Sequence, residues 1–350
     1  MKIGMLAPPW IKIPPAGYGG IEWVVHYITD ELVERGHDVT LFATGDSVTK
    51  ARLVAAFPRE MPDRIGQTMY DVQQVISCFR QAGDFDVIQD HSGFIAAAVA
   101  GFIDTPVVHT LHGPFNSDIC SFYRNSRSSA HYVAISEYQR SCCPDLNYAG
   151  TVYNPIDIAN WTFRGRDQKD DFLLAFGRIC ADKGFHTAIE VAKRTGSKLV
   201  IAGAVQQVSR DYFETVIKPE VDGEQIRFVG EVTLSEKWNL FANARAFLFP
   251  IQWPEPFGLV MIEAMAAGTP VLAFPEGSVP EVVSDGVTGF VVDNVDEMVE
   301  KLGRLDEIDP EACRRYVHDT FSVAKATDGY EQIYRNVSEG RSGRQPFAGE

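Results

Sequence analysis

The sequence has no excess of positive charge, and this absence excludes several classes of protein. Its 350 residues contain 32 Lys and Arg against 47 Asp and Glu, which gives a formal net charge of −15. A protein with this balance repels the phosphate backbone of nucleic acids instead of presenting the usual basic surface. Broad docking on anionic lipid is disfavoured for the same reason, although a local basic patch is compatible with the composition. We therefore expect no nucleic-acid partner.

Paired cysteines and long hydrophobic runs are also missing. The six cysteines form no CxxC motif and show no paired spacing, so the sequence predicts neither a disulfide framework nor a zinc site. No apolar run approaches the ~20 residues of a membrane-spanning helix. The apolar start of the chain is broken by Pro8 and Pro9, which is atypical of a signal peptide. These features predict a cytoplasmic protein without a membrane span.

What the sequence does contain is a regular alternation of strand-like and helix-like segments. After an apolar start (KIGMLA), residues 21–35 carry apolar side chains at the helical period, and Gly36 ends that helix before a second strand. Units of this kind build parallel sheets. The alternation continues to about residue 160, is interrupted by the polar segment 164–171, and then starts again.

The predicted fold is therefore α/β, with two Rossmann-like, doubly wound parallel-sheet lobes that face each other across a deep cleft. We assign residues 1–163 to the N-terminal lobe and 164–316 to the C-terminal lobe. Residues 317–336 are predicted to be helical, and 337–350 to form a polar tail. Neither lobe has GxGxxG after its first strand, which disfavours a nicotinamide or flavin enzyme. Ligands of such sheets bind outside the carboxyl ends of the strands, so polar residues there are candidates.

Two cations flank the loop after the first strand of the second lobe. Arg178 follows the apolar run FLLAF, and Lys183 precedes the next predicted helix. A planar guanidinium and a mobile ammonium at this place can stabilise a leaving diphosphate without a metal, and two solvated loop cations are the alternative. Asp84 and Asp86 form a DxD pair, but they precede a strand instead of following one. We therefore expect no metal site.

A second group of candidates lies in the segment PEPFGLVMIEAMAAGTPV (254–271). Glu255, ahead of the predicted helix, can accept hydrogen bonds from sugar hydroxyls, and Glu263, within it, can accept both hydroxyls of a ribose. The alternative for Glu255 is a favourable interaction with the helix dipole alone. The alternative for Glu263 is a half-buried acid of the helix that is satisfied by a partner within the protein. The helix start also favours a phosphate. The predicted phosphate contacts there are the backbone N–H groups of Phe257, Gly258 and Leu259.

The first lobe contributes candidates of its own. The pair Gly19–Gly20 follows a strand and a loop and begins a helix, so its N–H groups can approach an anion closely. The alternative is a glycine pair that only starts the helix and binds no ligand. His112 ends the strand PVVHTLH, where a structural imidazole is the alternative to a ligand contact. Ser136 also follows a strand. Arg124 lies in SFYRNSRSSA and can contact an acceptor phosphate or be solvated.

Together these motifs resemble the retaining GT-B glycosyltransferases, particularly family 4. The resemblance depends most on GRICADKG (177–184) and PEPFGLVMIEAMAAGTPV (254–271). It covers roughly residues 1–335 and extends to the motifs PAGYGGIEWVV, VHTLHGPF, AISEYQR, VYNPID, GSVPEVVSDGVTGFVV and YEQIYR. One departure is Glu276-Gly277-Ser278, where relatives often have two glycines.

The resemblance implies that a hexosyl group is transferred from a nucleotide-diphosphate sugar to an acceptor hydroxyl with retention of anomeric configuration. A UDP-sugar is the favoured donor and GDP-mannose the next, the acceptor is expected to be soluble, and no cofactor or metal is expected. The donor is assigned mainly to the second lobe and the acceptor mainly to the first. The final helix, 317–336, is expected to cross back to the N-terminal lobe.

The resemblance also assigns roles to individual positions. The catalytic positions are His112, Arg178, Lys183 and Glu255. The expected donor contacts are Gly19 and Gly20 over the phosphates, Arg178 and Lys183 on the diphosphate, Glu255 on the sugar, and Glu263 on the ribose, together with the N–H groups of 257–259. Arg124 and Ser136 are the candidate acceptor contacts.

Two other functions stay open at this stage. A sugar epimerase on the same scaffold would also bind UDP-N-acetylglucosamine, but it would release UDP without an acceptor. A nucleotide-sugar binding protein or an inactive partner subunit would bind the donor without breaking it down. The spacing of Glu255 and Glu263 favours transfer. A homo-oligomer is compatible with the sequence.

Overall fold

The computed structural model describes residues 1–17 and 19–339. The chain divides into two compact units: unit 1 contains Met1–Pro155 and the chain from Val323 onward, and unit 2 contains Ile156–Ser322. The predicted boundary at 163/164 is therefore several residues too late. The physical reason is Arg314, whose guanidinium donates to the carbonyl oxygens of Trp161 (3.0 Å) and Ile158 (3.1 Å) and so ties this segment to unit 2.

Unit 1 is built on a seven-stranded parallel sheet with the strand order β3-β2-β1-β4-β5-β6-β7. Its strands are β1 (Lys2–Leu6), β2 (Asp38–Ala43), β3 (Arg52–Ala55), β4 (Val87–Asp90), β5 (Val107–Leu111), β6 (His131–Ala134) and β7 (Tyr148–Thr151). The order changes direction between β1 and β4. In doubly wound sheets, ligands bind at the carboxyl ends of the strands around such a point.

Unit 2 is built on a six-stranded parallel sheet with the order β10-β9-β8-β11-β12-β13. Its strands are β8 (Leu173–Phe176), β9 (Leu199–Ala202), β10 (Ile226–Gly230), β11 (Ala246–Phe249), β12 (Val271–Ala273) and β13 (Gly289–Val291). Here the order changes direction between β8 and β11. Two parallel sheets of doubly wound order confirm the predicted α/β class.

The connections between strands are mostly helical. The helices are α1 (Gly20–Glu34), α2 (Thr68–Phe79), α3 (Phe94–Val99), α4 (Ser117–Asn125), α5 (Glu137–Cys142), α6 (Phe185–Thr195), α7 (Arg210–Tyr212), α8 (Leu234–Asn243), α9 (Leu259–Ala266), α10 (Val279–Val282), α11 (Val295–Leu302), α12 (Pro310–Phe321) and α13 (Val323–Glu339). A π-helical turn, Phe213–Ile217, continues α7, and a 3₁₀ turn, Ala181–Lys183, precedes α6. Within residues 1–17 and 19–339, no helix has the length and apolar character needed to cross a membrane.

The final helix, α13, belongs to the core of unit 1. Tyr330 and Tyr334 are buried in one apolar cluster with side chains of β1 and α1. Their hydroxyls are hydrogen-bonded to Thr110 (2.9 Å) and Gln89 (3.1 Å), which removes the cost of burying two polar groups. Burial of large aromatic side chains is the main stabilising contribution of such a helix.

The segment 317–336, predicted as one helix, is divided between two helices. Ser322 separates α12 from α13 with an extended backbone (φ −69°, ψ 156°). The carbonyl oxygen of Phe321 accepts a hydrogen bond from the N–H of Ile156 (2.9 Å), so that oxygen does not continue the helical pattern. Of the predicted tail, residues 337–339 belong to α13, and 340–350 lie outside the described residues.

Candidate active site

Three loops of unit 2 meet at one edge of its sheet. β8, β11 and β12 are neighbouring parallel strands, so their carboxyl ends lie side by side. The N–H of Gln252 donates to the carbonyl oxygen of Asp182 (2.8 Å), which joins the loops after β11 and β8. The N–H of Ser278 donates to the carbonyl oxygen of Glu255 (2.9 Å), which adds the loop after β12. The predicted donor residues of the second lobe lie in two of these loops and in α9.

Two glycines allow the loops to approach this closely. Gly184 has φ 71°, and a Cβ atom there would lie 1.9 Å from the carbonyl oxygen of Pro250. Gly277 has φ 65°, and its Cβ atom would lie 2.3 Å from the carbonyl oxygen of Glu255. Any side chain would therefore combine backbone strain with a steric clash. Gly277 is the glycine that the sequence retains in the Glu276-Gly277-Ser278 segment.

The first cluster in this region pairs Lys183 with Glu255. The Lys183 ammonium donates to Oε2 of Glu255 and lies over the rings of Trp253 (5.1 Å) and Phe249 (5.6 Å). The indole N–H of Trp253 donates to the same carboxylate oxygen (3.1 Å). The two charged side chains are only 15% and 13% exposed. An ammonium held this way can bind a phosphate oxygen, and the carboxylate can accept a sugar hydroxyl.

Arg178 follows β8 in the same loop as Lys183, but its side chain is exposed. Among the residues that the structure describes, its guanidinium has no hydrogen-bond or ion-pair partner. An arginine without a partner keeps its full set of N–H donors for an anionic ligand. The loop after β8 thus carries one cation that is paired, Lys183, and one that has no partner within residues 1–17 and 19–339, Arg178.

The start of α9 provides backbone donors. Gly258 is the N-cap residue (φ 77°, ψ 64°), and no side chain caps the helix. Of the first-turn N–H groups, that of Met261 donates to the carbonyl oxygen of Gly258 (2.9 Å), so those of Leu259 and Val260 are the ones that an anion can use. Phe257 is buried, and its carbonyl oxygen accepts a hydrogen bond from the Ser278 hydroxyl (3.0 Å). Phe257 and Gly258 precede the first residue of α9, and the phosphate contacts of the N–H groups of Phe257, Gly258 and Leu259 stay a prediction.

Glu263 lies about one turn into α9, and a residue that the sequence did not reveal holds it. Lys237 of α8 donates to Oε1 of Glu263 (2.6 Å). The other oxygen, Oε2, is buried and has no hydrogen-bond partner within residues 1–17 and 19–339. The sequence indicated only that a half-buried Glu263 needs a partner for its charge, and it did not indicate which residue provides that partner.

In unit 1, the pair Gly19–Gly20 begins α1 without a side-chain cap. A Cβ atom at Gly19 would lie 2.8 Å from the side chain of Pro15, so the close packing depends on glycine there. Glu22, in the first turn, is only 6% exposed. Burial raises the pKa of Glu22 to about 7, although a hydrogen bond from its own backbone N–H acts in the opposite direction. A carboxyl group that changes charge near neutral pH therefore lies next to the glycine pair.

His112 follows β5 and is paired with a second histidine. Its Nε2 lies 2.8 Å from Nδ1 of His91, and the two rings are stacked with their centroids 5.1 Å apart. Burial, with a smaller contribution from nearby His109, lowers the pKa of His112 to about 3. Burial and the neighbouring His112 hold the pKa of His91 well below its usual value. Both imidazoles are therefore neutral at pH 7, and His112 can orient a hydroxyl but carries no charge.

A buried network behind this pair contains no predicted site residue. Nδ1 of His109 lies 2.5 Å from Oδ2 of Asp90, and its Nε2 lies 3.1 Å from the hydroxyl of Tyr123. Oδ1 of Asp90 accepts hydrogen bonds from both the N–H (2.8 Å) and the hydroxyl (2.6 Å) of Ser92. Every member has a partner, as buried polar groups require. We interpret this network as structural.

The two candidate acceptor residues both form contacts within unit 1. Ser136 is fully buried, and its hydroxyl caps α5 by accepting a hydrogen bond from the N–H of Gln139 (3.0 Å). Because the side chain is inaccessible, we correct its assignment from acceptor contact to helix cap. Arg124 forms a bidentate ion pair with Asp145 at 2.9–3.1 Å, with both side chains about half exposed. Its acceptor role stays a prediction.

The DxD pair, Asp84 and Asp86, lies at the amino ends of the strands in unit 1, whereas His112 lies at their carboxyl ends. Asp86 precedes β4 and accepts a hydrogen bond from the N–H of Lys2 (2.8 Å) at the start of β1. Within the part of the chain that the structure describes, no group of three or more His, Cys, Asp or Glu side chains is placed to hold a metal ion. The metal independence of the reaction stays a prediction.

Comparisons with known proteins place this arrangement in a class. A solved glycosyltransferase involved in avilamycin A biosynthesis matches with a TM-score of 0.72 and 26% identity, over 97% of this chain and 98% of that one. A structure of Anabaena HepE, solved with UDP and glucose, matches with a TM-score of 0.72 and 19% identity over 98% of this chain and all of that one. The two parallel-sheet units thus have the GT-B fold.

The family follows from the sequence comparisons. The model of glycosyltransferase family 4 matches residues 18–160, and that of glycosyl transferases group 1 matches 160–319. The glycogen synthase of Mycobacterium tuberculosis (strain ATCC 25618 / H37Rv) is 28% identical over 343 residues, which cover 83% of this chain and 81% of that protein. The chain belongs to the GT-B glycosyltransferases of group 1. It is a glycosyltransferase of the kind that uses nucleotide-sugar donors.

Proposed function

We propose that this protein transfers a hexosyl group from a UDP-sugar to an acceptor hydroxyl with retention of anomeric configuration and without a metal ion. The observation that carries the proposal is the convergence of Lys183, Glu255 and the uncapped start of α9 at the end of one sheet. This edge offers cations and N–H groups for a diphosphate, and next to them a carboxylate for sugar hydroxyls.

In the proposed reaction the diphosphate is the leaving group. The bond between the anomeric carbon and the phosphate oxygen breaks while the acceptor oxygen bonds to the same face of that carbon. The proton of the acceptor hydroxyl moves to the departing phosphate oxygen. Lys183, Arg178 and the first-turn N–H groups of α9 stabilise the negative charge that develops on the diphosphate, which is the main catalytic contribution of the protein.

Each remaining group positions the donor. Glu255, held by Lys183 and Trp253, accepts hydroxyls of the sugar. Glu263, with one oxygen buried and unpaired within the described residues, accepts a ribose hydroxyl. His112, neutral at pH 7, orients a further sugar hydroxyl, and the backbone of Gly19–Gly20 approaches the phosphates. The choice of UDP is supported by the UDP and glucose named for the HepE structure.

A thermal-shift panel tests the donor. UDP, GDP and ADP, each alone and as its glucose, N-acetylglucosamine or mannose conjugate, are compared with and without EDTA. A ligand that binds only the folded protein raises the melting temperature, and we expect the largest rise with UDP compounds, unchanged by EDTA. No rise with any nucleotide would exclude the proposed site, and a rise that EDTA abolishes would exclude metal independence.

Product analysis then tests the reaction. With the preferred donor and a panel of hydroxyl acceptors, the anomeric configuration of the product is read by NMR coupling constants, and we expect the configuration of the donor to be kept. Inversion would contradict the proposal. Release of UDP with formation of a free epimerised sugar would favour the epimerase, and tight binding without breakdown would favour a binding protein.

A further inference from the structure

The carboxylate proposed to bind ribose is held in an asymmetric environment. Lys237 binds Oε1 of Glu263 at 2.6 Å, whereas Oε2 is buried without a partner among the described residues. The side chains of the pair are 21% and 13% exposed. The two oxygens of one carboxylate therefore differ, since one is already bound to a cation and the other retains its full capacity to accept hydrogen bonds.

Two aromatic rings restrict where the Lys237 ammonium can lie. It is 5.2 Å from the ring centroid of Phe176 at the end of β8 and 5.7 Å from that of Trp161. A cation over aromatic faces is attracted to both rings, and it is more strongly held when it is partly desolvated. The lysine is thus anchored independently of Glu263, so it can fix the carboxylate instead of following it.

Without the lysine, the carboxylate would be an uncompensated charge. Removing one partner of a buried ion pair leaves the other group poorly solvated, so it turns toward water. A displaced Glu263 would be a poorer acceptor for a ribose hydroxyl. The orientation of Glu263 therefore depends on Lys237.

We infer that Lys237 is a positioning residue for nucleotide recognition, which holds Glu263 by Oε1 and leaves Oε2 to accept predominantly one of the two ribose hydroxyls. The inference rests on the proposed function, in which Glu263 binds the ribose. It also replaces the expected bidentate contact of both carboxylate oxygens with an unequal one, because Oε1 is already engaged.

The experiment measures dissociation constants by calorimetry for UDP, 2′-deoxy-UDP and 3′-deoxy-UDP. The wild-type protein, Lys237→Met, Glu263→Gln and the double variant are compared. Methionine keeps an unbranched stem against the rings but lacks the charge. Lys218→Met is the matched control, because Lys218 pairs with Glu214 on an exposed surface of the same unit. Circular dichroism checks folding, and Lys237→Gln takes the place of Lys237→Met if the latter does not fold.

We expect wild-type protein and the Lys218→Met control to bind UDP about tenfold or more tightly than one of the two deoxy analogues, as for a hydrogen bond to a charged group. In Lys237→Met that preference should fall to about twofold, because UDP loses affinity and the critical analogue does not. In the Glu263→Gln background, adding Lys237→Met should cause no further change, since the lysine acts through the glutamate.

Two results would overturn the inference while the proposed function stands. In one, Lys237→Met binds all three ligands with the wild-type affinities. In the other, it weakens all three ligands equally, which indicates a structural role only. A different result would overturn the proposed ribose contact itself: wild-type protein that binds UDP and both analogues with equal affinity, or that binds none of them.

Discussion

The two units bring polar side chains to the ends of their strands in different ways. In unit 1, Asp90, His109 and Tyr123 are hydrogen-bonded to one another inside the protein, and every one of them has a partner. In unit 2, Arg178 is exposed without a partner among the described residues, and Glu263 keeps one unpaired buried oxygen. The network around Asp90 is thus fully satisfied, whereas Glu263 is not. Unit 1 also contains buried polar atoms that have no hydrogen-bond partner within residues 1–17 and 19–339, among them Nε2 of His91.

The difference indicates which polar groups serve the fold and which are available to a ligand. A fully paired buried network stabilises its surroundings and offers nothing to a substrate. An incompletely paired group has a free-energy cost that a bound ligand can remove. By this criterion Asp90, His109 and Tyr123 serve the fold. Glu263 in unit 2 and His91, which contacts His112 in unit 1, each keep a buried atom without a partner among the described residues, and these atoms are available to a ligand.

The largest expected effect tests the paired network of unit 1. Replacing His109 with Leu leaves the buried Asp90 carboxylate without its main partner, and we expect the free energy of unfolding to fall by about 3–5 kcal/mol. Urea denaturation measures this change. The control, His318→Leu, alters an exposed histidine and should cost less than about 1 kcal/mol. If the two variants were equally stable, the network would not be structural.

The next effect concerns Glu22, the incompletely compensated acid of unit 1. Its pKa is raised from 4.5 to about 7, so its contribution to stability is present below pH 4.5 and is lost as the pH rises to 7. Glu22→Gln should therefore be more stable than wild type by up to about 3 kcal/mol at pH 8, but not at pH 4.5. Denaturation at both pH values measures it, with exposed Glu34→Gln on the same helix as the control. A constant difference between the two pH values would contradict the assigned pKa.

A smaller free-energy effect, on turnover, tests the donor site in unit 2. Lys183→Met removes a cation proposed to stabilise the leaving diphosphate, and we expect the turnover number to fall about a hundredfold or more. Single-turnover kinetics with saturating donor separate this effect from binding. Lys193→Met, which removes an exposed lysine of α6, should leave the rate within about twofold of wild type. A near wild-type rate in Lys183→Met would exclude the proposed catalytic role.

The smallest effect is expected at Arg124. Its ion pair with Asp145 is exposed, so Arg124→Gln should change the free energy of unfolding by less than about 1 kcal/mol. The acceptor KM of the same variant tests its predicted role. An increase in KM without a change in stability would support acceptor binding, whereas an unchanged KM would assign the arginine to its surface ion pair alone.

The fold and the family could be predicted from the sequence because its short motifs indicate both the secondary structure and the chemistry of the site. The alternation of apolar segments predicted two parallel sheets, and the family was identified from the segments around Lys183 and Glu255. The edge strand β3 could not be predicted from the sequence, because its four residues (RLVA) are too few to show a clear apolar pattern. The break at Ser322 was missed because composition on both sides of it is equally helical.

Partner choice was the part of the site that could not be predicted. Glu263 stood out in the sequence as a half-buried acid, but nothing near it in the sequence indicated Lys237, which lies on another helix. Ser136 followed a strand, as the candidate sites do, and only its burial showed that its hydroxyl caps a helix. The stacked pair of His91 and His112 likewise joins residues from the ends of two strands.

By itself, the sequence determined the two doubly wound sheets, the membership in the glycosyltransferase family and the positions of the strand-end loops. These properties follow from local periodicity and short motifs, which are written in consecutive residues. Only the tertiary structure decided which charges are compensated, as in Lys183 with Glu255 and Lys237 with Glu263. Burial and ion pairing depend on side chains that are distant in the chain but close in space. The distance in space between two charges, together with their burial, determines their electrostatic energy.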